Sequence, residues 1–454
     1  MSKTRDHLTV LTPASAGQDS LRPENRSFVF LQGPHGPFFW ELSKVVAATG
    51  ARFTKIGFNE GDRFFWRNRK AFVPYTGELE DWPEFIRDFF AKDNTSDLVI
   101  YGDTRILHVT AIKIARELGI RIHCFEEGYL RPYWVTYERG GVNGHSRLMD
   151  MSVSDMREAL RHIDNDQPEA PARWGDMRQH ILLGAIYHWH ILFRNRRFRN
   201  YKTHRETSVA REFWLHFKRL MNRPVHALQR LRATRSIKRN GFVYHLSLLQ
   251  LSHDASIKSH SDFADMADFM RTCVEAFAEN APRHHHLVFK SHPLEDDREP
   301  LSKVARRLAD EFGVGARVHF VRGGKLAELL DYARAVVTIN STAAQQALWR
   351  GLPVKALGEG VFCKPEFTSN QSLEDFFANP KKPDLSAYRD YRQFLLMTSQ
   401  ITGGFYSRRS RVRLIRQIVD KMLIAEDPYE ALALSGAAPL QQFSIVDKSG
   451  SQSL

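Results

Sequence analysis

SFVFLQGPHGPFF (27–39) is the stretch on which the fold turns. It reads as a buried strand (27–33) that breaks at a Gly/Pro loop and runs into a helix over about 38–49. Outward from it, ARFTKIGF (51–58) reads as a second strand, DWPEFIRDFFA (81–91) as a helix and DLVIYGD (97–103) as a strand. An amphipathic helix (106–118) and the strand RIHCFEEG (121–128), charged at its carboxyl end, follow. Short β-rich runs separated by helices of this length indicate a parallel, doubly wound sheet.

The pattern starts again at NGFVYHLSLLQ (240–250). HHLVFKSHP (285–293), RVHFV (317–321) and AVVTIN (335–340) are expected strands, with helices over 262–279, 300–312, 325–333 and 342–350, before PVKALG (353–358). The predicted class is α/β, with two Rossmann-like halves facing a cleft and a helical, basic insertion between them. The expected boundaries are a disordered lead (1–26), a first domain (27–150), the insertion (151–239), a second domain (240–385), a helical return (386–424) and a disordered tail (425–454). Such a scaffold serves many nucleotide enzymes, so the fold does not choose among them.

Composition removes several classes. Cys124, Cys273 and Cys363 share no disulfide or metal spacing and fit a reducing compartment. The first 26 residues lack the apolar core of a secretion signal. No apolar run reaches the roughly 20 residues that span a bilayer; the nearest, 181–193, is broken by Tyr187, His188 and His190. Between Arg194 and Arg239 stand fifteen Lys or Arg against Glu206 and Glu212, which accounts for the whole net charge of +13. Trp189, Ile191, Leu192, Phe193, Phe198, Trp214 and Phe217 lie in or beside that segment. Cations interleaved with such residues suit an anionic lipid surface, or a helical subdomain with buried aromatics. No nucleic-acid motif accompanies them, and nucleic acid is not an expected partner.

Three segments carry chemistry. In VVTINSTAAQQALWRGLPVKALG (336–358), a strand delivers Asn340, Ser341 and Thr342 to a helix start, where free N–H groups suit an anion or a simple cap. In FKSHPLEDD (289–297), Lys290, His292 and Pro293 occupy another carboxyl end, suited to a phosphate or ribose. In CFEEGYLRPYWVTYERGGVNGHSRL (124–148), Glu126 and Glu127 end a strand, with Arg131, Arg139, Asn143 and His145 following. Paired carboxylates beside Arg and His suit sugar transfer, which must stabilise an oxocarbenium-like state while an acceptor hydroxyl loses its proton. A salt-bridged turn would use the same residues. Asp62, Asp103, Gln250 and Asp254 are further candidate substrate contacts, each at a strand end where a turn would also favour it.

Taken in order, GFNEGDRFFW (57–66), FEEGYLRPYWVTYERGGVNGHS (125–146), the 249–261 region, KSHPL (290–294) and TINSTAAQQALWRGLPVKALG (338–358) resemble the capsule polysaccharide biosynthesis and export family, over roughly residues 27–370. The resemblance implies a GT-B type glycosyltransferase that moves Kdo from CMP-Kdo to a phosphatidylglycerol-type lipid, starting the β-Kdo linker of the capsule. It implies Glu127 as the catalytic carboxylate, nucleophile or base, with Glu126 the next candidate. His292, Pro293, Asn340, Ser341 and Thr342 would hold CMP, and Arg131, Arg139 or His145 the Kdo carboxylate. No cofactor and no metal are expected, because CMP leaves as a monophosphate. The implied setting is cytoplasmic and peripheral on the inner membrane, beside other capsule assembly and export proteins. Two alternatives stay open: a non-catalytic membrane-docking factor, and a transferase of another CMP-activated acidic sugar.

Overall fold

In the first unit, β1 (Ser27–Phe30) leads through α1 (Phe38–Ala48), β2 (Arg52–Gly57), α2 (Glu60–Phe65), β3 (Phe72–Pro74) and α3 (Trp82–Lys92) to β4 (Asp97–Tyr101). There follow α4 (Ile106–Glu117), β5 (Arg121–Glu127) and β6 (Trp134–Arg139). This is a computed structural model, and it describes residues 22–131, 133–163, 177–201, 223–251, 261–293, 295 and 300–435. Strands β3, β2, β1, β4 and β5 lie side by side in that order, all parallel. Phe28, Val29 and Phe30 are fully buried, as are Leu98, Val99 and Ile100, because helices cover both faces of the sheet. The winding reverses between β1 and β4, which opens a crevice at their carboxyl ends.

Helices α5 (Val153–Ala159), α6 (Met177–Arg194) and α7 (Arg223–Asn240) connect the units. The second unit runs β7 (Val243–Leu248), α8 (Met266–Asn280), β8 (His285–Lys290), α9 (Leu301–Glu311), β9 (Val318–Val321), α10 (Ala327–Leu330), β10 (Ala333–Thr338), α11 (Gln345–Trp349) and β11 (Val354–Ala356). Its order is β11-β10-β7-β8-β9, again all parallel, with the reversal between β7 and β10. Both units are therefore Rossmann-like, each with one switch point. Tyr129 and Leu130, beyond β5, share a buried cluster with Leu348 and Phe362 of the second unit. The two units meet through loops at the carboxyl ends of their strands, the GT-B arrangement.

The chain returns through α12 (Leu373–Ala378), α13 (Leu385–Thr398), β12 (Gln400–Thr402), α14 (Arg408–Leu423) and α15 (Pro428–Ser435). Four expectations are corrected here. The return is not purely helical: β12 pairs antiparallel with β6, itself antiparallel to β5, and extends the first sheet. The segment expected as a disordered tail begins with α15, because Tyr429 and Leu432 bury against the core that includes α13. The insertion does not start clean at 151, since Val153 and Met156 of α5 belong to the cluster shared between the units. The expected lead also ends too late, because Arg26 is completely buried.

Arg26 anchors the far end of the first sheet. Its Nε donates to Asp97 Oδ2 at 2.9 Å, and its two terminal nitrogens donate to the carbonyls of Leu423 and Met422 at the end of α14. His123 Nε2 lies 2.8 Å from Asp97 Oδ1, and its Nδ1 lies 2.7 Å from the Tyr137 hydroxyl. Burial alone would raise the Asp97 carboxyl, but the bonds from His123 and Arg26 hold it below the usual range.

Burial also holds His123 down to about 4 and His245, in β7, down to about 3. Both stay neutral in the folded chain, whereas an unfolded histidine takes up a proton near pH 6.5. A folded pKa below the unfolded one gives stability that is complete above pH 6.5 and is lost as the pH falls toward 4. Each of the two contributes up to about 3 kcal/mol across that window. Glu126 and Glu138, which burial raises to about 7 and about 8, gain stability over the same window and oppose the histidines, so the histidine part is read from a variant. Between pH 7.5 and pH 4.5, His245→Phe should lose less melting temperature than the wild type, and an unchanged slope would remove His245 from the cause.

Candidate active site

The carboxyl end of β5 is where the acidic pair stands. Glu127 Oε1 accepts from the hydroxyls of Tyr101, at 3.4 Å, and Tyr406, at 3.2 Å. Burial raises both phenols first, followed by Tyr406 and then Glu127 for Tyr101 and by Glu127 for Tyr406, so they remain protonated donors. The Glu126 carboxylate turns back on its own chain and accepts from the Glu127 N–H at 2.9 Å. Burial pushes Glu126 up to about 7, against that hydrogen bond. One carboxyl of the pair can therefore carry a proton near neutrality while its neighbour is held by two phenols.

The backbone around the pair leaves no room for side chains. A Cβ on Gly128 would stand 2.3 Å from the Trp134 carbonyl oxygen, so the residue after the two glutamates has to be glycine for β6 to turn back on β5. Gly102, at φ +67°, lies beneath Glu126, with Oε2 3.3 Å from where a Cβ would sit. The loop beyond is tied to both units: Leu130 N–H donates to Gln400 Oε1 at 3.2 Å, and Gln345 Nε2 donates to the Tyr129 carbonyl at 3.1 Å.

Asp103 and His145 come together beside this pair. His145 Nδ1 lies 3.1 Å from Asp103 Oδ2, which also accepts from the Val142 N–H at 2.9 Å. The Asp103 bond raises the His145 pKa, and the ring stays half exposed, the geometry of an oriented acid or base. Asp103 Oδ1 is buried with no hydrogen-bond partner among the described residues. Asn143 takes a left-handed conformation, φ 52°, and its N–H donates to the Tyr129 hydroxyl at 2.6 Å. Arg131 is exposed, its Nε donating to the Gly128 carbonyl at 3.2 Å.

In the second unit the expected donor residues, with Gln250, collect at three strand ends, those of β7, β8 and β10. Gln250, after β7, and Asn340, after β10, bond reciprocally across the switch point, Nε2 to Oδ1 at 2.9 Å and Asn340 N–H to Gln250 Oε1 at 3.2 Å. Lys290 is buried at the end of β8, and burial, then Arg230, lowers it to about 8. His292 is half-buried and Pro293 exposed. Their loop is stitched to the one after β9 by the Gly323 N–H, which donates to Ser291 Oγ at 3.1 Å. Arg230 of α7 reaches the same loop, with Cδ 2.7 Å from the place a Gly324 Cβ would occupy.

Three further expectations change. The helix predicted from 342 is a 3₁₀ turn, Thr342–Ala344, that passes into the five residues of α11, with Ser341 Oγ accepting from the Ala343 N–H. So short a helix has little dipole to offer an anion. Arg139 faces away from the pair: it caps the end of α14 through the carbonyls of Lys421, Ile424 and Ala425. Asp62 is buried and holds α2 and α6 together, accepting from the Phe58 N–H and the Tyr187 hydroxyl, both at 3.0 Å. Asp254 lies outside the described residues. Sequence reasoning also missed Tyr101, Tyr406 and His180, whose ring stacks on Tyr406 at 4.0 Å. A cavity of about 560 Å³ runs along β9 beneath α7 and contains none of the expected residues.

The family profile described as "Capsule polysaccharide biosynthesis protein" matches residues 96–406, from the start of β4 to Tyr406 beside Glu127. The chain belongs to this family. Among its relatives, the capsule polysaccharide export protein KpsS of Escherichia coli is 32% identical over 390 residues, covering 84% of this chain and 97% of KpsS. The capsule polysaccharide modification protein LipB of Neisseria meningitidis serogroup A is 30% identical over 388 residues, covering 84% and 92%. A solved structure, the β-Kdo 2,7 transferase KpsC of Thermosulfurimonas dismutans, aligns over 87% of this chain and 99% of its own at a TM-score of 0.40 and 14% identity. Among the described residues no group of three or more His, Cys, Asp or Glu is placed to hold a metal ion, and no helix is long and apolar enough to cross a membrane.

Proposed function

We propose that the chain is a capsule-pathway glycosyltransferase that moves Kdo from CMP-Kdo to a phosphatidylglycerol-type lipid at the cytoplasmic face of the inner membrane. The observation that carries the proposal is the acidic pair at the end of β5: Glu127 held by the Tyr101 and Tyr406 hydroxyls, with Glu126 raised to about 7 beside it. The site sits at the junction of two Rossmann-like units, within the segment matched by the family.

In transfer, the bond from the anomeric carbon of Kdo to the phosphate oxygen breaks, and a bond to the acceptor hydroxyl oxygen forms. CMP leaves with the electron pair, and the hydroxyl proton passes to a carboxylate. Glu127 is the carboxylate that meets the developing positive charge at the sugar, and Glu126 or the Asp103–His145 pair takes the proton. Lys290 and His292 offset the charge on departing CMP, and Arg131 is exposed to meet the Kdo carboxylate.

CMP-Kdo should raise the melting temperature by a few degrees at concentrations about a hundredfold above its Kd, equivalent to about 2.7 kcal/mol. A UDP-sugar should not. An equal shift with CMP-sialic acid would widen the donor class, and no shift with any CMP-sugar would overturn the donor assignment. Stabilisation without transfer would favour a docking factor that retains the donor fold.

A further inference from the structure

Helix α6 is apolar on two faces. Its inner face packs on α2, with Tyr187, His190 and Ile191 buried and the Tyr187 hydroxyl also accepting from Gln32 Nε2 at 2.7 Å. Its outer face shows Ile181, Leu182, Trp189 and Phe193 to solvent at 45, 59, 44 and 59% exposure. The strip continues onto α2, where Phe64, 44% exposed, stacks on His190 at 4.0 Å. Trp189 lies 5.0 Å from His190 and 5.6 Å from Phe193, so the rings form one chain across the surface.

Along α6 and the turn after it the charge has one sign, and the nearby Glu60 of α2 is paired with Arg63. From Met177 to Tyr201 there are five arginines, 178, 194, 196, 197 and 199, and no Asp or Glu. Arg194, Arg196, Arg197 and Arg199 are exposed, and the Arg194 guanidinium lies 5.2 Å over the Trp189 ring. Aromatic and aliphatic side chains on one face, with arginines gathered at the end, match the interface of an anionic bilayer. Nucleic acid would use the rings and the arginines, but the exposed Ile181 and Leu182 would gain nothing from stacking on bases.

We propose that the outer face of α6, with Phe64, docks on an anionic lipid bilayer. The proposal deepens the lipid-acceptor reading and rests on it for its purpose. The same helix places His180 against Tyr406, the phenol that holds Glu127, so the docking element borders the acidic site directly.

The test is co-sedimentation of the full chain with phosphatidylglycerol–phosphatidylcholine vesicles and with phosphatidylcholine alone, with no donor present. The wild type should bind the anionic vesicles preferentially. Leu182→Ser/Trp189→Ser/Phe193→Ser and Arg196→Glu/Arg197→Glu should each weaken that binding by about tenfold or more. Both should melt like the wild type, since the altered side chains are exposed. Trp189→Phe should still bind but lose the fluorescence quenching that brominated acyl chains cause in the wild type. No preference for anionic vesicles, unchanged binding in both multiple variants, or an RNA oligonucleotide that displaces the vesicles through the same residues would each overturn the proposal. Vesicle binding involves no sugar transfer, so failure of the transferase reading and failure of this surface are separately visible.

Discussion

Glu127→Gln should abolish sugar transfer, lowering kcat by about a thousandfold or more, while leaving the fold and donor binding intact. The amide oxygen of glutamine can still accept from the Tyr101 and Tyr406 hydroxyls, so the loop keeps its geometry. What disappears is the negative charge, and with it both nucleophilicity and basicity. An interaction used only in the transition state lowers kcat with little change in KM, and steady-state kinetics with varied donor make that split visible. Tyr406→Phe removes one of the two phenols and should cost far less. A Glu127→Gln protein with unimpaired kcat would move the chemistry to Glu126 or to the Asp103–His145 pair.

Asp97→Ala should destabilise the chain by about 3–5 kcal/mol, because it leaves a buried guanidinium without its carboxylate. Arg26 and Asp97 both have fully buried side chains. Arg26 also holds the end of α14 through two carbonyls, so its loss of orientation loosens the return helix as well as the sheet. Urea denaturation followed by the helical signal reads the change. Combining Asp97→Leu with Arg26→Met should recover part of the loss, since no buried charge then stands alone. A cost below about 1 kcal/mol would mean that water reaches Arg26 in the variant.

Much of the α/β pattern was legible because it is local. In 27–49 the apolar strand, the Gly/Pro break and the helical period follow one another within a single βα unit. The same holds for the strand that delivers Glu126 and Glu127, since charged residues closing an apolar run mark a carboxyl end. Long-range contacts were not legible. Strand β12 is three residues between two helices and exists only because β6 offers it an edge. Tyr406 reaches Glu127 across 279 positions, and Arg139 reaches the end of α14 across more than 280. A polar, Gly-rich loop made Arg139 look like a ligand residue; the free carbonyls of a helix end, invisible in the sequence, are what it satisfies. Asp62 was misread for a related reason, because the hydroxyl it serves, Tyr187, belongs to a helix 125 residues away.

The most direct measurement of the central claim is incubation of the purified chain with CMP-Kdo and lysophosphatidylglycerol, following the lipid by mass. The predicted result is a lipid heavier by one Kdo residue, with matching release of CMP, and no product from Glu127→Gln protein that melts like the wild type. Unmodified lipid alongside intact CMP-Kdo, with a folded wild-type chain, would contradict it.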